Sequence, residues 1–305
     1  MLISDVERHV ALQRASGFAF NEQSELLTSY AGFATAKGER LVRVETVPDW
    51  SQRAHSPQRR RTLLLTVRRF ALAMTAEDSR HEVPSADLLP RAKRVRQRPY
   101  IYSSAEIDML VAVANGAAAR GCAVPGQYPT LFGLLSATGM RVSEALGLDL
   151  GDVLDDGLLV RHAKRRGRRL LPLHPTTEEV LRRHLAVRQR MRARCDAVFL
   201  AVDGERLSYG TVRNVFQRMI ARGGLAGAAP GGRNPRIHDL RHSFAVRSLE
   251  ACGSDRTAIA RHMVGLSTYL GHVNISDTYW YLEGTPTLMR QIAWCAEAVC
   301  DGGVE

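Results

Sequence analysis

The densest chemistry in the chain lies between Arg236 and Tyr281. Arg236-Ile237-His238-Asp239-Leu240-Arg241-His242-Ser243-Phe244 is followed by Tyr269-Leu270-Gly271-His272 and then by Thr278-Tyr279-Trp280-Tyr281. Ile237, Leu240 and Phe244 recur at i, i+3 and i+7, which predicts one buried helical stripe. His238 and Arg241 are three apart, so they share a neighbouring face and project together. An imidazole beside a guanidinium on a rigid element suits a group with several oxygens, above all a phosphate. A solvated helix face would show the same spacing, so the reading depends on what accompanies it along the chain.

Upstream, Leu131 to Ala137 is an apolar helix stopped by Thr138-Gly139, with Gly139 as the left-handed stop residue. Met140 to Leu146 begins another helix, which puts Arg141 where unbonded amides and the helix dipole favour an anion. From the residues alone two readings stand level: a phosphate clamp, or a surface pair with Glu144 at i, i+3. Leu158 to His162 and Leu170 to Leu173 flank Ala163-Lys164-Arg165-Arg166-Gly167-Arg168-Arg169, which predicts a β-hairpin with a cationic tip. Lys164 at such a tip can enter a groove and deliver a proton. The alternative is a basic turn in which Arg165 and Arg166 touch phosphate. A helix over 178–194, another over 209–220 and a Gly/Ala/Pro-rich loop over 225–235 lead into the His238 helix.

These elements belong to a chain of 305 residues, a length that suggests two domains. Hydrophobic residues make up 45% and charged ones 24%, enough for packed cores. The net charge of +11 points to nucleic acid as partner, with an anionic membrane surface as the alternative. No apolar stretch of about 18 residues occurs, so no transmembrane helix is expected. The first residues lack the basic and apolar regions of a signal peptide. Five scattered cysteines without C-x-x-C spacing argue against a disulfide framework or zinc site and for a reducing, cytoplasmic setting.

Residues 1–88 read as a polar helical module, with apolar faces at Leu26 to Phe33 and Thr62 to Leu72. Arginines crowd the second face, among them Arg68 and Arg69, and would lie on a DNA backbone; an ordinary charged surface is the plainer reading. Residues 89–99 read as a linker. Pro84, Pro90 and Pro99 bracket Arg91, Lys93, Arg94, Arg96 and Arg98, and such a segment could track phosphates. Residues 100–305 form a second domain, opened by Ser103 or Ser104 as helix cap.

The motifs resemble the tyrosine recombinases, the phage-integrase family of site-specific DNA recombinases. Thr138-Gly139-Met140-Arg141-Val142-Ser143-Glu144-Ala145-Leu146 is similar to the family's T-G-x-R-x-S-E-x-L. Lys164 ahead of Arg169-Leu170-Leu171-Pro172-Leu173 resembles its hairpin lysine and R-x-x-P-L ending. His238 to Ala245 matches H-x-L-R-H-[ST]-F-A, and Leu270-Gly271-His272 with Tyr281 nine residues on matches the last motif. Arg165 stands where many members have Gly, and Leu282-Glu283 where a Thr-His pair is frequent; neither removes a group the reaction needs. The T-Y-W-Y-L ending resembles members carried on transposons and other mobile elements.

The resemblance implies a mainly α fold with a small antiparallel β-sheet or hairpin: an N-terminal helical core-binding domain and an α+β catalytic domain. It implies cleavage and rejoining of double-stranded DNA at specific recombination sites by a homotetramer, through a 3′-phosphotyrosyl link and a Holliday junction. Arg141 and Arg241 would hold the non-bridging oxygens, His272 would add a hydrogen bond, His238 would accept the tyrosine proton and Lys164 would protonate the leaving oxygen. Tyr281 would be the nucleophile; the residues alone leave Tyr279 level with it. No cofactor and no metal are expected, and accessory recombination proteins are left open as partners. Residues 287–300 carry an apolar helical face (Leu288, Ile292, Ala293, Ala296, Val299) that could dock on a neighbouring subunit or fold back on its own domain. A type IB topoisomerase-like relaxing enzyme and a non-catalytic DNA-binding relative are the alternatives.

Overall fold

The computed structural model describes residues 2–91, 98–117, 124–163, 167–252 and 256–271. Arg94, Arg96, Lys164, Arg165, Arg166, His272, Tyr281 and the tail helix over 287–300 lie outside the described residues. The chain divides into two compact units, Met1–Arg96 and Gln97–Glu305.

The first unit is helical: α1 Leu2–Ala15, α2 Asn21–Ala36, α3 Thr46–Ser51 and α4 Pro57–Thr75. α4 starts where Ser56, in extended conformation, accepts the Arg59 N–H at 3.2 Å and Pro57 takes the first helical position. Its inner face, with Leu63, Leu64, Val67, Phe70, Ala71 and Met74, recurs every three or four residues and closes the core with Tyr30 and Trp50. Several arginines on and around α4 tie loops down. Arg60 donates to the Ala54 carbonyl at 2.9 Å, Arg61 to Leu89 at 3.2 Å and Arg68 to Pro84 at 2.6 Å, while Arg69 is exposed.

The second unit comprises α5 Ser104–Ala117, α6 Gln127–Thr138, α7 Val142–Leu146, a 3-10 turn Leu150–Asp152, β1 Val153–Leu154, β2 Gly157–Ala163, β3 Gly167–Leu171, α8 Pro175–Arg188, α9 Tyr209–Arg222, α10 Ile237–Glu250 and α11 Arg256–Leu270. Ser103 is the cap of α5: its Oγ accepts the Glu106 N–H at 3.2 Å, and the Glu106 carboxylate accepts the Ser103 N–H at 2.8 Å. α6 is apolar on nearly every side, with Tyr128, Leu131, Phe132, Leu134 and Leu135 all buried, and it packs against α5, α8 and α10. That central placement fixes where its last residues, Thr138 and Gly139, emerge.

The antiparallel sheet has the order β1-β2-β3, so the expected hairpin carries a third strand. β1 is two residues long, too short to show an alternating pattern. It turns into β2 at Gly157, whose φ of +140° and approach to the Leu171 carbonyl (2.3 Å from a built Cβ) admit only glycine. α8 ends at Arg188 and not at Arg194. The buried Arg188 guanidinium donates to the carbonyls of Ala197 (2.9 Å) and Cys195 (2.7 Å), which folds the following residues back and stops the helix. Among the described residues no helix is long and apolar enough to cross a membrane.

Candidate active site

α10 carries His238 and Arg241, and its start is fixed by a local device. Arg236 is extended, and the buried Asp239 carboxylate accepts its backbone N–H at 2.8 Å and pairs with its guanidinium at 3.0 Å. One turn on, Ser243 Oγ donates to the Asp239 carbonyl and accepts the Tyr102 N–H, both at 2.8 Å, which ties α10 to the segment ahead of α5. These bonds hold the end of the helix that bears His238.

Arg241 is buried, 2% exposed, and bridges two helix ends. It donates from Nη1 to the Gly139 carbonyl at 2.8 Å and from Nη2 to the Leu270 carbonyl at 2.7 Å. The Gly139 carbonyl is available because the residue turns left-handed (φ +60°) at the end of α6. A Cβ there would sit 2.4 Å from the Phe244 ring, so no other residue fits.

Arg141 caps the short α7. Its backbone N–H donates to Glu144 Oε2 at 2.9 Å, its Nη1 to Glu144 Oε1 at 2.9 Å, and its Nη2 to the Gly271 carbonyl at 3.4 Å. The Arg–Glu pair is real, and it is not an exposed one. The Glu144 side chain is 3% exposed and is shared with Arg169 of β3, which donates to Oε1 at 3.1 Å and to Oε2 at 2.8 Å. Burial on its own would raise the Glu144 pKa; the hydrogen bonds from Arg169 and from the Arg141 backbone outweigh it and hold the group ionised, below the usual carboxylate range.

Three consecutive carbonyls at the end of α11 thus each accept from an arginine: Tyr269 from Arg169 Nε (3.0 Å), Leu270 from Arg241 and Gly271 from Arg141. The last carbonyls of a helix lack intrahelical partners and form the negative end of its dipole, so they gather cations. Gly271, at φ +67° with its N–H on the Thr268 carbonyl at 3.0 Å, turns the chain out of α11 directly ahead of His272.

His238 is an exposed residue whose ring packs on one side, meeting that of His242 edge-on at 4.6 Å. Loss of water around the ring, and then the nearby Arg241, push its pKa down to about 4, against the opposing pull of Asp239. The imidazole is therefore neutral near pH 7 and holds a lone pair that can take a proton. We expect an NMR titration of His238 in the DNA-free protein to show a midpoint near 4. Because the unfolded chain protonates first, this group should make stability rise with pH between about 4 and 6.5. A midpoint at or above 6.5 would contradict the surroundings described.

Of the residues expected to act together, the fold joins Arg141 and Arg241 through the Leu270–Gly271 turn and places His238 on the helix of Arg241. Arg169, which the motif reading named only as the start of the R-x-x-P-L ending and gave no role, is the further residue the fold brings to the site. Its inward face, shared with Leu171, is a property of the folded strand, since Gly167-Arg168-Arg169-Leu170-Leu171 shows no alternation of polar and apolar residues.

A mainly helical unit with a three-stranded sheet thus holds three guanidiniums around one turn. The chain belongs to the phage integrase family and is a tyrosine-type site-specific recombinase, residues 104–287 matching the family's model. It is 37% identical over 300 residues to "Putative integrase/recombinase y4rB" of Sinorhizobium fredii, covering 94% of both chains. It is 36% identical over 149 residues to tyrosine recombinase XerC of Actinobacillus pleuropneumoniae serotype 7, covering 48% of this chain and 44% of that one. Among solved structures, a lambda integrase tetramer bound to a Holliday junction shares the fold with a TM-score of 0.62 at 17% identity, over 91% of this chain and 76% of that one.

Proposed function

We propose that this enzyme cuts and rejoins double-stranded DNA at specific recombination sites through a 3′-phosphotyrosyl intermediate on Tyr281. The observation that carries the reading is the convergence of Arg141 and Arg241 on the Leu270–Gly271 turn, with His238 on the same helix as Arg241. Two fixed guanidiniums meet the two non-bridging oxygens of a phosphodiester, and charge stabilisation with positioning is most of what phosphoryl transfer needs. The Tyr281 oxygen forms a bond to phosphorus as its proton passes to His238. The bond from phosphorus to the 5′-oxygen breaks, and that oxygen takes a proton from Lys164, with His272 donating to the phosphate. The energy of the broken bond stays in the protein–DNA link, so a 5′-hydroxyl from a partner duplex can reverse the step and exchange strands.

Strand exchange then runs through a Holliday junction in a homotetramer, the arrangement in which the lambda integrase neighbour was captured. Residues 1–88 act as the core-binding domain, with Arg68 and Arg69 on the DNA side, and 89–99 as the basic linker carrying Arg94 and Arg96. Arg165 and Arg166 meet phosphate beside Lys164. Residues 287–300 couple subunits. The setting is cytoplasmic and the element a mobile one.

The test is a nicked suicide duplex that loses the 5′-hydroxyl fragment after cleavage, incubated in EDTA without nucleotide. A covalent adduct at the 3′ side of the cut is expected, since Arg141 and Arg241 supply the charge. A strict need for magnesium in the chemical step, or an adduct at the 5′ side, would overturn the mechanism. Relaxation of a supercoiled plasmid without strand exchange would favour a topoisomerase-like enzyme.

A further inference from the structure

Arg169 bonds no group expected to react, yet it holds the carboxylate that also binds Arg141. Each Glu144 oxygen accepts two hydrogen bonds: Oε1 from Arg141 Nη1 and Arg169 Nη1, Oε2 from the Arg141 backbone N–H and Arg169 Nη2. Four bonds saturate a carboxylate. The cluster sets two guanidiniums against one carboxylate, so one positive charge is left over. Its position follows from exposure: Glu144 is 3% exposed, Arg169 13% and Arg141 28%. Arg169 takes both carboxylate oxygens with its paired nitrogens and lies deeper, which leaves the surplus charge on Arg141, the member that faces outward. Without Arg169, Arg141 would be the one cation among the described residues left bonded to that buried carboxylate, and its own charge would be cancelled there.

Resting on the reading of Arg141 as a phosphate clamp, we propose that Arg169 is a positioning residue: it neutralises Glu144 so that the charge of Arg141 is kept for the scissile phosphate, and it anchors the Tyr269 carbonyl of the turn that Arg141 and Arg241 also grip. Its place in β3 suits this role. The inward face it shares with Leu171 brings the hairpin strand onto α7 and the end of α11 at once, so one side chain joins three elements. A Cβ at Gly271 would come within 3.0 Å of Arg169 Nη1, so the turn and the guanidinium fit each other closely.

The experiment measures single-turnover adduct formation by the full chain on saturating suicide duplex, with DNA affinity and thermal unfolding measured beside it. Two substrates are compared: one with the natural scissile phosphate, one with a methyl group replacing a non-bridging oxygen, which removes the negative charge. On natural DNA, Arg169→Ala should slow the adduct about 10- to 100-fold with little change in affinity. On the uncharged substrate its rate should lie within about threefold of the parent, because the clamp's charge no longer matters. Glu144→Gln added to Arg169→Ala should recover most of the lost rate on natural DNA, since no carboxylate then competes for Arg141. Arg169→Lys, which keeps the charge without the paired donors, should fall between parent and Arg169→Ala.

Equal losses on both substrates, or no recovery in the double variant, would make Arg169 a purely structural residue and overturn the inference. Should Arg169→Ala fail to fold, Arg169→Lys and the double variant carry the same comparison across the two substrates. An Arg141→Ala protein that cleaves as fast as the parent would overturn the clamp reading itself. A slow Arg141→Ala beside a parental Arg169→Ala would overturn the Arg169 inference alone.

Discussion

Tyr281→Phe should form no covalent adduct on a suicide duplex while binding the same DNA with an affinity within about twofold of the parent. Phenylalanine keeps the ring and removes the attacking oxygen, and a covalent route that loses its nucleophile falls by several orders of magnitude. Tyr279→Phe should retain a near-parental rate. Three tyrosines crowd this part of the chain, so the choice needs an argument. Tyr269 is excluded by its surroundings. Its ring stacks on Phe244 at 5.7 Å, burial pushes its pKa up against the partial relief of Arg169, and its carbonyl is bound to that arginine. Tyr279 and Tyr281 lie two apart, which on a helix is about 200° of rotation, so one of them at most faces the phosphate. From the residues alone the two stand level; the resemblance to the family, whose tyrosine lies nine residues after the Leu-Gly-His histidine, points to Tyr281. Digesting the trapped adduct and mapping the modified peptide decides it. Phosphotyrosine at Tyr279, or an adduct that survives Tyr281→Phe, would overturn the assignment.

The parts of the site that could be read from the residues are those in which local chemistry and motif coincide. The stop of α6 at Gly139, the start of α7 at Arg141, the hairpin strands and the helix with His238 and Arg241 all depend on contacts within a few residues: a left-handed glycine, a capping carboxylate, an apolar stripe. What remained illegible depends on partners far along the chain. Glu144 could be seen as the i, i+3 partner of Arg141, but not as a carboxylate shared with Arg169, because that pairing spans 25 positions. The grip of three arginines on the carbonyls of Tyr269, Leu270 and Gly271 has no side-chain signature on the accepting side, since every residue has a carbonyl. The short β1 and the early end of α8 were hidden for the same reason: a backbone bridge in one case, the Arg188 bonds to Ala197 and Cys195 in the other.

Arg241 joins both sides of that divide, and changing it should harm fold and chemistry together. Arg241→Ala would remove the donors from two carbonyls, Gly139 and Leu270, at a position 2% exposed. Leaving two buried acceptors without these bonds costs about 2–4 kcal/mol, visible as a lower midpoint in thermal unfolding. The adduct rate should fall further than that instability accounts for, by about a thousandfold or more, since the proposed clamp would lose one of its two charges on the transition state. Arg241→Lys separates the two effects. A lysine keeps the charge, but its single ammonium cannot span two carbonyls in the fixed fork that the guanidinium provides. The plane of Arg241 is set by those carbonyls before DNA arrives, so the freedom of a long side chain is already given up in the unbound enzyme. A lysine must be ordered anew at each encounter. Arg241→Lys should therefore recover much of the unfolding midpoint and remain about a hundredfold slow in adduct formation. Thermal unfolding followed by circular dichroism and single-turnover trapping on the same preparations read the two quantities. An Arg241→Ala protein that folds and cleaves at close to the parental rate would remove this residue from the proposed clamp, and with it the functional reading of the convergence of Arg141 and Arg241 on the Leu270–Gly271 turn.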